Sequence, residues 1–241
     1  MRCRVFLLLV VLLGGAGAAR ATDVPRVNLD ANDRPVAEVV AALQEQVPEV
    51  QLALMQGASS QITVSVHDVP LQDAVAAVAR ALKGSFLRGY LVERIGPGDQ
   101  PYSAEELLEY IRSARAEWQR RLTPEQRQAW QERVEAHFTA LLQTGQGMPA
   151  ADVFTHDDPL LRFAMMPTSE RISLQIEAQP LQTALDLFSL ESGYTVLVEE
   201  GVDGIVTLEA QEQELPVILD ALAQAAEAHW RAFYLISEPV K

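Results

Sequence analysis

Residues Gln179–Glu209 read QPLQTALDLFSLESGYTVLVEEGVDGIVTLE, and the same plan appears at Arg34–Val66 as RPVAEVVAALQEQVPEVQLALMQGASSQITVSV. Each copy has a proline, an apolar pair of turns, a short β-like run, a glycine-bearing break and an alternating run. Aligning Val27 with Ile172 brings Leu29 onto Leu174, Pro35 onto Pro180 and Val36 onto Leu181. After a one-residue gap, Ile62 meets Val206, Leu71 meets Leu215, Val75 meets Leu219, Phe86 meets Trp230 and Tyr90 meets Tyr234. The match is one of pattern more than of identity. It holds over roughly 65 residues with a single gap, and self-similarity at a fixed offset marks a duplicated unit.

In the second copy, Ile172–Ile176 alternates apolar and polar residues, as a half-buried strand does. Pro180 stands where a helix can begin. Leu181, Leu185, Phe188 and Leu190 give that helix an apolar face, and Ser192-Gly193 ends it. Tyr194–Val198 is a strand, Glu199–Gly204 a turn and Ile205–Leu208 a second strand. Leu215, Ile218, Leu219, Leu222 and Ala226 share a face of a second helix, and Trp230–Ile236 closes the unit with a strand. The first copy reads alike. Strands are expected at Val27–Asp30, Val50–Leu54, Ile62–Val66 and Phe86–Val92, and helices are lined by Val36, Val39, Val40, Leu43 and by Leu71, Val75, Val78, Leu82. The expected class is therefore α+β: two β-α-β-β-α-β modules, each a mixed sheet with two helices on one face, at residues 26–94 and 171–237.

Residues 95–170 have a different character and read as a helical connector. Ser103 with Glu106 three residues on is a capping box, and Thr123-Pro124 starts a second helix. Leu107, Leu108, Ile111, Ala114, Trp118 and Leu122 recur at helical spacing, followed by Trp130, Val134, Phe138 and Leu141. The expected arrangement is a helical hairpin with the tryptophans packed inside it, resting on itself or on a module. QTGQGMPAAD then reads as a loop, and DDPLLRFAMM as a short helix capped by Asp158.

The first 21 residues read as a secretory signal: Arg2 and Arg4, the apolar run Val5–Leu13, and a small-x-small site at Ala19-Arg20-Ala21. Cleavage is expected after Ala21, giving an exported chain outside whose fold the signal lies. Cys3, the one cysteine, falls in that segment, so the mature chain has no disulfide and no thiol chemistry. Without Arg2, Arg4 and Arg20, 16 basic residues face 33 acidic ones. Such a balance disfavours nucleic acid and anionic lipid, favours a basic partner patch, and with no second long apolar run fits a chain that is not membrane-spanning after cleavage.

The strand-then-proline entry at Ile172–Leu181, the Ser192-Gly193 helix stop, the Gly201–Gly204 turn and the IVTLE strand before an amphipathic helix together resemble the STN domain. This is the short N-terminal domain of secretins and TonB-dependent receptors. The first copy keeps the entry with Pro35 and the ITVSV strand, but Val47-Pro48 replaces Ser-Gly at the helix stop. The resemblance covers somewhat over half the chain and defines a fold pattern, not a set of reactive residues. It implies a periplasmic interaction module, in secretins a ring facing inner-membrane machinery and in receptors a relay to a regulator, associated with the outer membrane. The connector is not part of that pattern, and with Ser237–Lys241 after the second module the chain itself is not expected to form a secretin or receptor barrel.

Reactive chemistry is sparse. His156-Asp157-Asp158 is the one dense group of metal-ligand or acid–base types, although capping accounts for Asp158. His67-Asp68 ends a strand, where Asp68 suits a turn or cap. His137 borders a helix stripe, His229 precedes a closing strand, and the acid pairs Glu199-Glu200 and Glu105-Glu106 read as solvated. There is no G-x-S-x-G elbow and no Gly-rich phosphate loop. The expectation is a non-catalytic docking protein of the periplasm, without catalytic, cofactor or metal residues, whose sheet edges meet an envelope partner in secretion, transport or signalling. Two alternatives stay open: a metal-dependent or hydrolytic enzyme centred on His156–Asp158, and a peptide- or glycan-binding protein with its groove between the modules.

Overall fold

A computed structural model describes residues 11–12, 25–55, 59–94, 102–144, 160, 163 and 166–238. In chain order the elements are β1 (Val11–Leu12), β2 (Arg26–Pro35), α1 (Val36–Gln46), β3 (Gln51–Leu54), β4 (Gln61–Pro70), α2 (Leu71–Leu82) and β5 (Phe86–Glu93). They continue with α3 (Ala104–Arg121), α4 (Pro124–Thr144), β6 (Arg171–Pro180), α5 (Leu181–Ser192), β7 (Thr195–Val198), β8 (Ile205–Glu214), α6 (Leu215–Ala225) and β9 (His229–Ile236). The class is α+β, with both halves in the same element order.

The duplication extends to backbone detail. Among the described residues six non-glycine residues have positive φ, and they fall into three equivalent pairs: Asp33 (52°) with Ala178 (46°), Asp68 (50°) with Glu212 (48°), and Lys83 (56°) with Glu227 (51°). Their supports recur as well. Asp33 N donates to Thr63 Oγ1 at 3.0 Å, and Ala178 N to Thr207 Oγ1 at 3.1 Å. Asp68 N donates to Asn28 Oδ1 at 2.9 Å, and Glu212 N to Ser173 Oγ at 3.0 Å. The first two pairs sit at the bulges of the antiparallel ribbons β2–β4 and β6–β8, which bend each ribbon over its helices.

Proline acts one step earlier than the sequence suggests. Pro35, Pro70 and Pro180 end strands with ψ of 131–143° and immediately precede α1, α2 and α5, instead of lying in the first turn. A ring-fixed φ with no N–H suits this corner. Among the described residues no side chain caps these helices. The leading N–H groups go instead to neighbouring strand ends: Val36 to Ser60 O, Leu71 to Pro25 O, Leu181 to Gly204 O and Leu215 to Glu170 O, at 2.8–3.2 Å. At the other end of α5, Gly193 takes φ 78°, where a Cβ would meet Pro167 O at 1.9 Å.

The expected pair of self-contained sheets is corrected. The central sheet has four strands in the order β3-β9-β5-β7. β3 pairs in parallel with β9 of the other half, β7 in parallel with β5, and β5 with β9 antiparallel. Each half therefore gives its last strand to the other. Each pair of helices lies between its own two-stranded ribbon and the shared sheet, and not on one face of a single mixed sheet. The reason is interchangeability. QLAL of β3 and TVLV of β7 present the same short apolar edge in the same register, so either final strand can satisfy either edge. Tyr90 and Val92 of β5 complete the core under α5 and α6, while Tyr234 and Ile236 of β9 complete the core under α1 and α2.

The registers obey a two-fold relation. Gln51 pairs with Phe233 as Thr195 pairs with Gly89, and Gly89 pairs with Phe233 across the axis itself. An ideal Cβ on Gly89 would lie 2.3 Å from Phe233 Cζ. The missing side chain is the room into which the fully buried ring fits.

α3 covers the remaining face of the central sheet: Leu107, Leu108 and Ile111 pack on Leu87, Leu91, Phe233 and Leu235. This explains why β5 and β9 lose the alternation of a half-buried strand over Tyr90-Leu91-Val92 and Phe233–Ile236. The hairpin expectation holds at its base, where Trp118 and Trp130 meet edge-to-face at 5.4 Å beside Leu122 and Leu190. Leu190 thus faces the connector, not the core of its own half. Farther along α4, Phe138 and Leu141 are only partly covered, so the stripe does not extend as a buried seam. Both helix starts are reciprocal boxes: Ser103 with Glu106 at 2.8 and 3.2 Å, and Thr123 with Gln126 at 3.0 and 3.2 Å. The hydrogen bonds from Ser103 hold the Glu106 carboxyl below its ordinary pKa. Ser103→Ala is expected to lower stability by about 1 kcal/mol in a denaturant melt.

Two residues of the segment read as a signal, Val11 and Leu12, are paired in the structure. β1 runs parallel to β8, with Val11 opposite Leu208 and Leu12 opposite Glu209. A ribbon strand has unpaired backbone groups along its outer edge, and an extended segment can satisfy them. The loop and short-helix readings of 145–159 lie outside the described residues. Among the described residues no helix is long and apolar enough to cross a membrane.

Candidate binding surfaces

Three kinds of place could meet another molecule: strand edges, a buried charge cluster, and the cavities where the halves join. Most edges are already occupied. Gln44 Oε1 accepts from Leu52 N at 2.7 Å and its amide donates to Val50 O at 2.7 Å, closing β3 from α1. Gln46 grips Asn28 of β2 in the same way, accepting from its N–H at 3.0 Å and donating to its carbonyl at 2.9 Å. α3 lies against β7, with the Tyr110 hydroxyl donating to Val198 O and Arg115 Nε donating to Thr195 Oγ1 at 2.7 Å. The outer edge of β8 carries β1. Its equivalent, β4, has only β2 as a partner among the described strands. Next to the β8 edge stands Ile205, 61% exposed, the most prominent apolar side chain on the described surface.

A charge cluster sits where β5 and β9 end. Glu93, almost fully buried, takes Arg231 Nε at 2.9 Å and Arg231 Nη2 at 3.0 Å, with His229 Nε2 at 3.2 Å. Separate halves supply these groups, so the sequence separation of over 130 residues hid the cluster. The one available signal was their place at matching ends of the two closing strands. This group is a buried ion pair that ties the two strands together.

The other candidate residues are dispersed. His67 is exposed on β4, 3.3 Å from Ser65 Oγ. Asp68 proves to be a bulge residue and not a helix cap; hydrogen bonding to Arg26 lowers its pKa. His137 stacks edge-on with Phe138 on α4. Glu199 accepts from Arg94 N at 2.7 Å, and Glu200 is exposed. His156, Asp157 and Asp158 lie outside the described residues. Among those described, no three His, Cys, Asp or Glu side chains converge as a metal site.

Two cavities adjoin at Arg115, Gly193 and Tyr194. The smaller, about 180 Å³, lies between α3 and α5. There Arg121 clasps Asp186 at 2.6 and 2.9 Å, and Trp118 Nε1 donates to Asp186 O at 3.1 Å. The larger, about 380 Å³, is a groove between α2 and β5 of the first half and Gly193-Tyr194, just before β7, in the second. Arg88 is its notable side chain. Nη1 donates to Gln72 Oε1 at 2.8 Å and faces both Glu170 oxygens at 3.3 Å, and the guanidinium carbon lies 5.2 Å from the rings of Tyr90 and Tyr194. Burial works against the Arg88 charge, but Tyr90, Tyr234, Glu170 and Tyr194 push the other way and its pKa is raised. The Tyr194 hydroxyl donates to Glu170 Oε1 at 2.5 Å, and its pKa is pushed up to about 12 by burial and by that carboxylate.

Comparison of the chain with family models, with curated proteins and with solved structures finds no match.

Proposed function

We propose that the protein is a non-catalytic docking component of a bacterial envelope. It is held in the periplasm and recognises an extended segment of a secretion, transport or signalling partner by strand addition. The observation that carries this reading is the parallel seating of Val11–Leu12 on the outer edge of β8. An edge that takes one apolar strand has the backbone groups to take another, with main-chain hydrogen bonds giving affinity and alternate side chains giving choice. In a chain cleaved after Ala21 that edge is bare, and a partner strand replaces the departed one. The acidic residues Glu209, Glu212 and Glu214 along β8 favour a basic flank on the partner. The resemblance of both halves to secretin and TonB-receptor STN domains supports the same reading, with each half taken as a docking unit.

The test places a photoreactive side chain at Glu209 on β8, and separately at the exposed Glu109 on α3, in the exported chain within intact cells. One discrete envelope adduct from position 209, and none of that mass from 109, is the expected outcome. Identical adducts from both positions, or a mature chain still carrying residues 1–21, would refute the reading.

A further inference from the structure

The groove between α2, β5 and Gly193-Tyr194 departs from the two-fold plan of the molecule. At the position of Arg88, the equivalent residue on β9 is Ala232. The equivalents of Gln72 and Glu170 are Pro216 and Pro25. The fold therefore builds this junction twice and needs the arginine network only once. Burying a guanidinium costs free energy unless its donors are satisfied, and here they are only partly so. The contacts to Glu170 are 3.3 Å long, Glu170 is itself 59% exposed, and Arg88 Nε is buried with no acceptor among the described residues. Arg80 stands exposed on the rim with no ion-pair partner among the described residues, and Arg115 adds a third positive charge to the lining. Three arginines gathered in one groove are a marked exception in a chain of net charge −14. Between them the walls are apolar, formed by Phe86, Leu87 and Phe163, with Ala76 and Ala79 of α2.

We infer that this groove is a binding site for a carboxylate carried on an apolar peptide segment, with Arg88 as its anchor and Glu170 as the internal carboxylate that the ligand displaces. Glu170 shows how such a group sits: one oxygen takes the Tyr194 hydroxyl at 2.5 Å and both face Arg88 Nη1. An entering carboxylate takes over the same donors with Arg80 closing over it, and its apolar neighbours lie along Phe86 and Phe163. Charge-assisted hydrogen bonds to arginine are the strong class of polar contact, and they strengthen as the groove is desolvated. The site is independent of strand addition at β8, and either can fail without the other.

The experiment titrates the full chain with dansylated hexapeptides rich in leucine and phenylalanine. One has a central glutamate and an amidated end, one has glutamine there and a free terminal carboxylate, and one has glutamine and an amidated end. Binding of either acidic peptide, with none of the third, is expected, and the pair shows whether a side-chain or a terminal carboxylate is taken. Glu170→Gln removes the competitor and is expected to tighten binding about tenfold. Arg80→Met, on the exposed rim, weakens it about threefold without affecting the fold, whereas Arg88→Met abolishes it. A structural role alone predicts the opposite for Glu170: a lower melting temperature in Glu170→Gln and no gain in affinity. Equal affinity for all three peptides, no binding by any, or no tightening in Glu170→Gln overturns the assignment. Because Glu170→Gln and Arg80→Met change exposed side chains, the result does not depend on Arg88→Met remaining folded.

Discussion

Gly89→Ala is expected to be among the most damaging single-methyl additions in the protein. The new Cβ would lie 2.3 Å from Phe233 Cζ and 2.9 Å from Thr195 O. The ring cannot swing away, because Phe233 is fully buried under α3 among Leu87, Leu91 and Leu235. The carbonyl belongs to β7 and cannot move without disturbing its pairing with β5. Overpacking a rigid core costs about 1–3 kcal/mol, and the backbone contact places this site at the upper end. The same axis makes a sharper test. Gly89 and Phe233 are opposite each other and occupy equivalent positions in the two halves. Phe233→Gly should leave a cavity and cost about 3–5 kcal/mol. Combining Phe233→Gly with Gly89→Phe moves the ring to the other side of the axis and is expected to restore part of the loss, because the approach of the new Cβ to Thr195 O remains. Chemical denaturation of the four proteins measures the coupling, and additive losses would rule out the pairing as a size-matched couple.

The second large effect concerns the halves themselves. Residues 25–94 produced alone are expected not to give a folded monomer. Their core under α1 and α2 lacks Tyr234 and Ile236, which are 4% and 0% exposed in the whole chain, and β3 loses its partner strand. Two such side chains are worth about 1.5–3 kcal/mol each, a large share of a domain stability of about 5–15 kcal/mol. The fragment can recover a partner only from a second copy, whose β5 would stand where β9 stands. That dimer sets Gly89 against Gly89 at the axis and leaves the place of the Phe233 ring empty. Mixing with residues 102–238 should yield a one-to-one complex in preference to either homodimer. Light scattering after size-exclusion chromatography reads the stoichiometry. A monomeric 25–94 fragment with a cooperative melt would contradict the exchange of closing strands. The Gly89–Phe233 pair thus acts in two ways, fitting the halves to each other and disfavouring association of like with like.

Much of this architecture was legible in the residues because it is local. Val36, Val39, Val40 and Leu43 line α1 as their spacing predicts, and Leu215, Ile218, Leu219, Leu222 and Ala226 are buried around α6. Ser103 with Glu106 announced α3, and Gly193 ended α5 in the left-handed region. The groove was harder to see. Arg88 reads as an ordinary outward residue of a strand, and only its replacement by Ala232 in the equivalent place signals that it is special. Its partners Gln72, Glu170 and Tyr194 come from segments up to 106 positions away, measured from Arg88. The cluster Glu93–His229–Arg231 was hidden for the same reason.

By itself the sequence determined the elements, their order, the duplication and the helical connector, because hydrophobic periodicity, capping and turn chemistry act over a few residues. Which closing strand pairs with which half was left to the tertiary structure. β3 and β7 offer equivalent edges, so no local preference separates self-pairing from exchange. The choice follows from contacts that exist only when the whole chain is assembled: the ring of Phe233 in the space at Gly89, Tyr90 and Tyr234 each completing the opposite core, and α3 lying across the sheet they form.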